Sequence, residues 1–261
     1  MYGNRISDWD LRHVWVPRVY IGLGIYMTRE IQEHAEQVIV HSRHQQDILR
    51  LEAPPDAPET HVIPHGVPPS PPTPAVQREH EGPLIVTLGL VSSTAKRMPL
   101  LLAAFARVRA SQPDARLEVV GELGEGEFEI LTPMIADLGL SDSVHLHGRA
   151  EKDEYWEILQ SADLAVQLRS SFNAGASGAV SDCLAARVPV IVTGIGWLTE
   201  LPPDVVLPVP EECSADELAE RMVSVVGDRG LQAKIRAAQD DYAREASFAR
   251  VAERYAEVLA L

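Results

Sequence analysis

Two stretches of this 261-residue chain could hold an anionic ligand, and each follows an apolar run. The first is Lys96-Arg97, in the loop Leu90-Val91-Ser92-Ser93-Thr94-Ala95-Lys96-Arg97-Met98 behind a run, LIVTLG (84–89), that ends in Gly89. A lysine meets a phosphate as a point charge and an arginine as a bidentate fork, so adjacent cations suit a diphosphate. The alternative, to which spacing alone gives slightly more weight, is two solvated loop residues. Lysine is scarce, with only three among 23 basic residues, Lys96, Lys152 and Lys234.

The second stretch is SGAVSDCLAARVPVIVTG (177–194), a helix of small residues running into a strand. Ser177 is a good N-cap type and Gly178 follows it. A helix start carries unpaired N–H groups and partial positive charge, which small side chains let a phosphate approach. Gly178 and Asp182 are four apart and share a face. A diphosphate at the first turn leaves its ribose about 5 Å further along, where Asp182 can accept both hydroxyl protons. The alternative is a tightly packed helix with Asp182 in water.

Three more candidates stand at strand ends. Arg169 follows LAVQL (164–168), and Gly148-Arg149 close VHLHGR (144–149). A glycine there lets a flat base lie against the backbone and the arginine adds charge; an ordinary turn is the competing reading. His145 and His147 alternate with Leu146 and share one face, where they cover the sheet. The two cysteines, Cys183 and Cys213, have no spacing for zinc or for a disulfide framework and read as buried thiols. No metal is expected.

The elements that must position these residues alternate regularly. LIVTLG (84–89), RLEVVG (116–121), VHLHG (144–148), LAVQL (164–168), PVIVT (189–193) and VVLPV (205–209) read as short strands, mostly unbroken apolar runs suited to a parallel sheet covered on both faces. Helical patterns cover 99–110, 126–138, 152–161, 177–186, 215–226, 231–243 and 247–259. This is an α/β chain with a doubly wound parallel sheet, whose ligands bind at the carboxyl ends of the strands. Earlier, helix is expected over 25–37 and 44–51 and strand over 38–41 and 61–63, a partial α/β segment too small to close a sheet. The expected division is residues 1–66, a proline-rich linker over 67–82, the main domain over 83–243, and a C-terminal helix over 244–261 that packs back on the N-terminal segment.

A net charge of -15 argues against nucleic acid or anionic lipid as partner. The apolar tract VYIGLGIYM is too short to span a bilayer and the N-terminus lacks a signal-peptide layout, so a cytoplasmic protein is expected.

Taken in order, VIPHGV (62–67), Lys96-Arg97, RLEVVGE (116–122), VHLHGR (144–149), YWEILQSADLAVQLR (155–169), SGAVSDCLAARVPVIVT (177–193) and 196–200 resemble the GT-B-fold retaining glycosyltransferases of the group 1, family 4-like type. The likeness runs over about residues 35–261. It implies a Rossmann-like C-terminal domain binding a nucleoside-diphosphate sugar, UDP- or GDP-linked, and hexosyl transfer to an acceptor with retained configuration and no required cofactor. By resemblance, Asp182 holds the ribose, Lys96 and Arg97 the diphosphate, and Ser177 and Gly178 supply helix-start amides. Two departures stand out. The family's first glutamate falls at Ala174, and Asn173, Gly175 and Ala176 beside it are not acids either. Residues 1–66 resemble only the tail of an N-terminal acceptor domain, and no catalytic role falls to His13, His34, His41, His44, His61 or His65; His65, in the PHGV turn, reads as hinge.

Three functions follow: a transferase; a nucleotide-binding form needing a partner chain or self-association; and a GT-B-like nucleotide-sugar epimerase, which would require acids poised for proton transfer.

Overall fold

The computed structural model describes residues 28–51, 53–69, 81–170 and 175–260. The expected helix over 25–37 is Thr28–His34 (α1), its first residues lying outside the described ones. Then come β1 (Val38–Val40), α2 (Arg43–Leu51) and β2 (Thr60–Val62), with β1 and β2 paired in parallel.

The main sheet has six parallel strands: β3 (Leu84–Leu88), β4 (Arg116–Val120), β5 (Val144–Gly148), β6 (Leu164–Gln167), β7 (Val190–Thr193) and β8 (Leu207–Val209). Their spatial order is β5-β4-β3-β6-β7-β8. The chain fills one half outward from β3, then returns to β6 and fills the other. The switch point therefore lies between β3 and β6, which is where a doubly wound sheet opens a crevice at its carboxyl edge. Every residue of β3, β6 and β7 is buried, as unbroken apolar runs in a two-sided sheet require.

Helices α3 (Met98–Ser111), α4 (Glu127–Asp137) and α7 (Ala215–Gly227) cover one face through a core that includes Phe105, Leu131 and Met222. On the other, α5 (Lys152–Ser161), α6 (Gly178–Ala186) and α8 (Arg229–Glu245) pack around Ile158, Val180, Leu184 and Trp197. Strand β8 is shorter than expected: Val205 and Val206 donate their amides to the Pro202 carbonyl and form a turn. Helix α8 begins earlier than its apolar pattern because the Asp228 side chain caps it, accepting from the Leu231 N–H at 2.9 Å. A 3₁₀ turn over Gly196–Thr199 was not expected.

Helix α9 (Phe248–Leu259) leaves this domain for the N-terminal segment. Arg254 donates to the Val62 carbonyl at 2.8 Å. Val67 bridges Ser247, and a Cβ on Gly66 would lie 2.4 Å from the Phe248 ring, so glycine is what lets α9 start there. From the other side, the Glu200 carboxylate accepts the N–H groups of Arg43 (3.0 Å) and His44 (2.9 Å), capping α2.

Candidate functional site

Beside the switch point the carboxyl ends of β3 and its other neighbour, β4, touch. Gly89 has φ +93 and Gly121 φ +147, and a Cβ on Gly121 would lie 1.9 Å from the Gly89 carbonyl oxygen. No side chain fits between them. The loop that follows is pinned by Glu127, whose buried carboxylate accepts the Ser93 N–H at 2.8 Å and its hydroxyl at 3.1 Å. Ser170 fastens it to β6 through Ser170 N–H to the Ala95 carbonyl at 3.2 Å.

That loop turns Lys96 inward. Its ammonium, buried, donates to the Leu88 carbonyl at 2.7 Å and to Gln167 Oε1 at 2.8 Å. Two bonds leave one of the three N–H donors of an ammonium. A Cβ on Gly89 would lie 3.6 Å from Lys96 Nζ and 3.8 Å from the Ala179 Cβ, so lysine, strand end and the first turn of α6 meet at one place. Burial first, and then the Arg169 cation, bring the Lys96 pKa down to about 7.

Arg97 does not accompany it. This residue takes the left-handed conformation (φ 51, ψ 40) at the start of α3, its guanidinium lies near Cys213, and its buried Nη1 meets no hydrogen-bond partner. The cation that shares the surroundings of Lys96 is Arg169, whose Nη2 donates to Ser177 Oγ at 2.8 Å. Of the two cations expected together, Lys96 lies beside Arg169, and Arg97 lies near Cys213.

Ser177 is the N-cap of α6 and is buried. Its hydroxyl oxygen accepts from the Val180 N–H at 3.3 Å as well as from Arg169. The side chain is thereby engaged, and what remains for a ligand is backbone: the amides of Gly178, which is exposed, and Ala179 stand in the first turn, where helix geometry supplies no acceptor.

One turn on, Asp182 is half-buried and its Oδ2 accepts the Tyr155 hydroxyl at 2.7 Å. Burial pushes the carboxyl pKa up, against the Tyr155 hydrogen bond and the nearby His65. His65 Nδ1 lies 2.9 Å from Ser181 Oγ and 3.0 Å from the Gly66 carbonyl oxygen, and burial lowers its pKa. Its ring meets Trp197 and His41 edge-on. His65 is therefore in contact with the helix that carries Asp182.

Gly148 and Arg149 stand at the end of edge strand β5, two strands from β3. Gly148 is left-handed (φ +68), its carbonyl accepts the Gly121 N–H at 2.8 Å, and the space a Cβ would fill is open. Arg149 is exposed. Asn173 and Ala174 lie outside the described residues.

Residues 73–246 match the family of glycosyl transferases group 1. This chain belongs to that family. No curated protein matches it in sequence. Among solved structures it is similar to HepE of Anabaena, crystallised with UDP and glucose, at a TM-score of 0.74 and 17% identity over 99% of this chain and 68% of that one. It is also similar to a sucrose-phosphate synthase of Thermosynechococcus elongatus (TM-score 0.70, 22% identity, 98% of this chain and 64% of that one). A third is the pneumococcal O-GlcNAc transferase GtfA, crystallised with UDP and GlcNAc (0.70, 15%, 89% and 46%). The chain thus spans between about half and two thirds of the length of these proteins. The likeness is one of fold, that of the GT-B glycosyltransferases. No helix among the described residues is long and apolar enough to cross a membrane.

For a group 1 family member the least legible site residues are the supporting ones. Tyr155 lies 27 residues before the acid it holds, and Gly121 matters through a backbone contact with Gly89. A strand-end glycine after RLEVV was the only available signal for the latter.

Proposed function

We propose that this chain is the donor-nucleotide half of a glycosyltransferase that takes a sugar from a UDP-sugar with retention of configuration. The observation that carries the reading is the convergence of the Lys96 ammonium, Gly89 and the first turn of α6, with Arg169 beside them. A diphosphate there accepts the remaining Lys96 donor and the Gly178 and Ala179 amides, and the ribose falls to Asp182, oriented by Tyr155. The base lies toward Gly148 and Arg149. UDP is preferred over GDP because HepE and GtfA were both crystallised with UDP.

The division proposed is a donor domain over 83–243, an N-terminal acceptor-side segment over 1–66, a linker over 67–82, and residues 244–261 tying the two together. Arg254 and Glu200 support that tie. Transfer by positioning needs both walls of the cleft. The second reading is therefore a nucleotide-binding chain that acts only with a partner supplying more of the acceptor side, a reading supported by the likeness to a structure solved as a GtfA/B complex (TM-score 0.66, 18% identity).

Calorimetric titration with UDP, together with release of glucose from UDP-glucose, tests both. Binding with turnover is the expected result, and the anomer released, read by NMR, tests retention. Binding without turnover supports the second reading, and no UDP binding at millimolar concentration overturns both.

A further inference from the structure

On the half of the sheet away from the switch point, β4 and β5 bring three metal-ligating side chains together. Their parallel register sets Glu118 opposite His145. His147 is two residues along the same face, and there the register slips: Val119 pairs with Leu146 but Val120 pairs with Gly148. His147 is thus the extra residue of a β-bulge, a device that re-aims a side chain. It is aimed back at the acid. Glu118 Oε2 lies 2.5 Å from His147 Nε2 and 3.3 Å from His145 Nδ1, and the two imidazole centroids are 4.0 Å apart. The ligand atoms of all three residues lie within 4.8 Å of one another.

We propose that Glu118, His145 and His147 form a binding site for a divalent transition-metal ion, with zinc as the matched ion. Two imidazole nitrogens and one carboxylate oxygen are a borderline set that suits zinc, cobalt or iron(II) rather than magnesium or calcium, which take oxygen. Bonds of about 2.0–2.1 Å to a tetrahedral ion separate ligand atoms by roughly 3.3 Å. The Glu118–His145 distance already has that value, and the Glu118–His147 pair needs to part by less than about 1 Å, within reach of a small side-chain rotation.

The site has one wet side and one dry side. The side chains of His147 and Glu118 are 10% and 17% exposed, whereas that of His145 is 65% exposed, so the ion enters past His145 and keeps a position for water. Two of the three ligands sit on rigid strand positions and the third on the bulge. A plain His147–Glu118 hydrogen bond would need neither His145 nor its convergence on the same oxygen. Bound metal would fasten edge strand β5 to β4 immediately before Gly148-Arg149. It would act on the shape of that edge, apart from the diphosphate cradle between β3 and β6.

The test uses the full chain stripped of metal by a chelator and titrated with Co²⁺, whose visible d–d absorption reports the ligand set. One equivalent of Co²⁺ should give an absorption that Zn²⁺ bleaches, and Zn²⁺ should raise the melting temperature. His147→Ala and Glu118→Gln should each weaken Co²⁺ binding by at least about tenfold, with unchanged far-UV circular dichroism. His145→Ala alters an exposed residue and guards against a folding defect; it too should weaken binding. The proposal is overturned if Co²⁺ gives no Zn²⁺-displaceable absorption at millimolar concentration. It is equally overturned if the triple variant Glu118→Gln/His145→Ala/His147→Ala keeps the affinity and spectrum of the parent.

Discussion

The Tyr155 hydroxyl and Asp182 Oδ2 are 2.7 Å apart, with the tyrosine donating. Burial disfavours the Asp182 carboxylate, and this hydrogen bond is what opposes that most strongly. A hydrogen bond to a charged group contributes about 1.5–3 kcal/mol, so Tyr155→Phe should raise the Asp182 pKa further and leave the carboxylate less well oriented. UDP affinity should fall about three- to tenfold, converting roughly 0.7–1.4 kcal/mol of that loss. Asp182→Ala should cost more. The loss in Tyr155→Phe should grow as the pH is lowered, because Asp182 now protonates at a higher pH than in the parent. Calorimetric titrations at several pH values check this; a loss that does not change with pH would contradict it.

Lys96 gives a pH dependence of the opposite sense. Its pKa in the folded protein is about 7 against an ordinary 10.5, so part of the population is neutral at physiological pH. A diphosphate favours the ammonium, and UDP binding above pH 7 must take up a proton. Affinity should therefore decline as pH rises from about 7 to 9. Titrations at pH 7.5 in buffers of different ionisation enthalpy should show proton uptake, which Lys96→Met should remove. Linkage adds a stability consequence. Between about 7 and 10.5 the unfolded chain binds more protons than the folded one, so the Lys96 contribution to stability should rise with pH over that window.

These two residues also mark what the sequence could carry. Lys96 and Asp182 were visible as types at strand and helix ends, and the six strands were visible as apolar runs, because a two-sided parallel sheet imposes that pattern residue by residue. The direction of Arg97 was not legible, because its backbone takes a left-handed angle that neighbours in sequence do not reveal. Tyr155, His65 and Glu118 reach their partners across strand order and helix packing, at separations of 27, 116 and 29 residues. Spacing within a segment cannot report such contacts. His145 and His147 did share a face, but the acid between them came from the register of a different strand.

Glu200 joins the 3₁₀ turn after β7 to the N-terminal segment by capping α2. Removing a cap costs about 0.5–2 kcal/mol, so Glu200→Ala should lower the urea midpoint without changing the slope of the transition. Glu200→Gln keeps an acceptor and loses the charge at the helix start, and should cost less, about 0.3–1 kcal/mol. Amide exchange should quicken first in α2. If it quickens uniformly instead, the cap is not local.

Gly121 and Gly126 both have positive φ but differ in surroundings. A Cβ on Gly121 would strike the Gly89 carbonyl oxygen at 1.9 Å, and backbone cannot swing aside, while at Gly126 nothing lies within 4 Å. Gly126→Ala should cost only the left-handed strain, about 1–2 kcal/mol. Gly121→Ala must also force apart the ends of β3 and β4, and should cost about 3 kcal/mol or more. Because Gly89 moves with it, UDP binding should be lost even where the variant remains folded. Thermal melts and UDP titrations on the two variants make the comparison; equal losses would mean that β3 and β4 tolerate separation.

Gly178 separates the cost of a site from the cost of a fold. A Cβ there meets nothing within 4 Å and the residue opens α6, so the protein has no packing reason to keep glycine. Alanine in place of a helical glycine stabilises by about 0.5–1 kcal/mol. If a diphosphate approaches the first turn of α6, however, the added methyl stands in its path. Gly178→Ala should therefore hold or raise the melting temperature and weaken UDP binding, by about tenfold for each 1.4 kcal/mol of crowding. Gly178→Val should weaken it further. Should both variants bind UDP as the parent does, the phosphates do not lie against this helix start, and Lys96 and Arg169 serve some other anion.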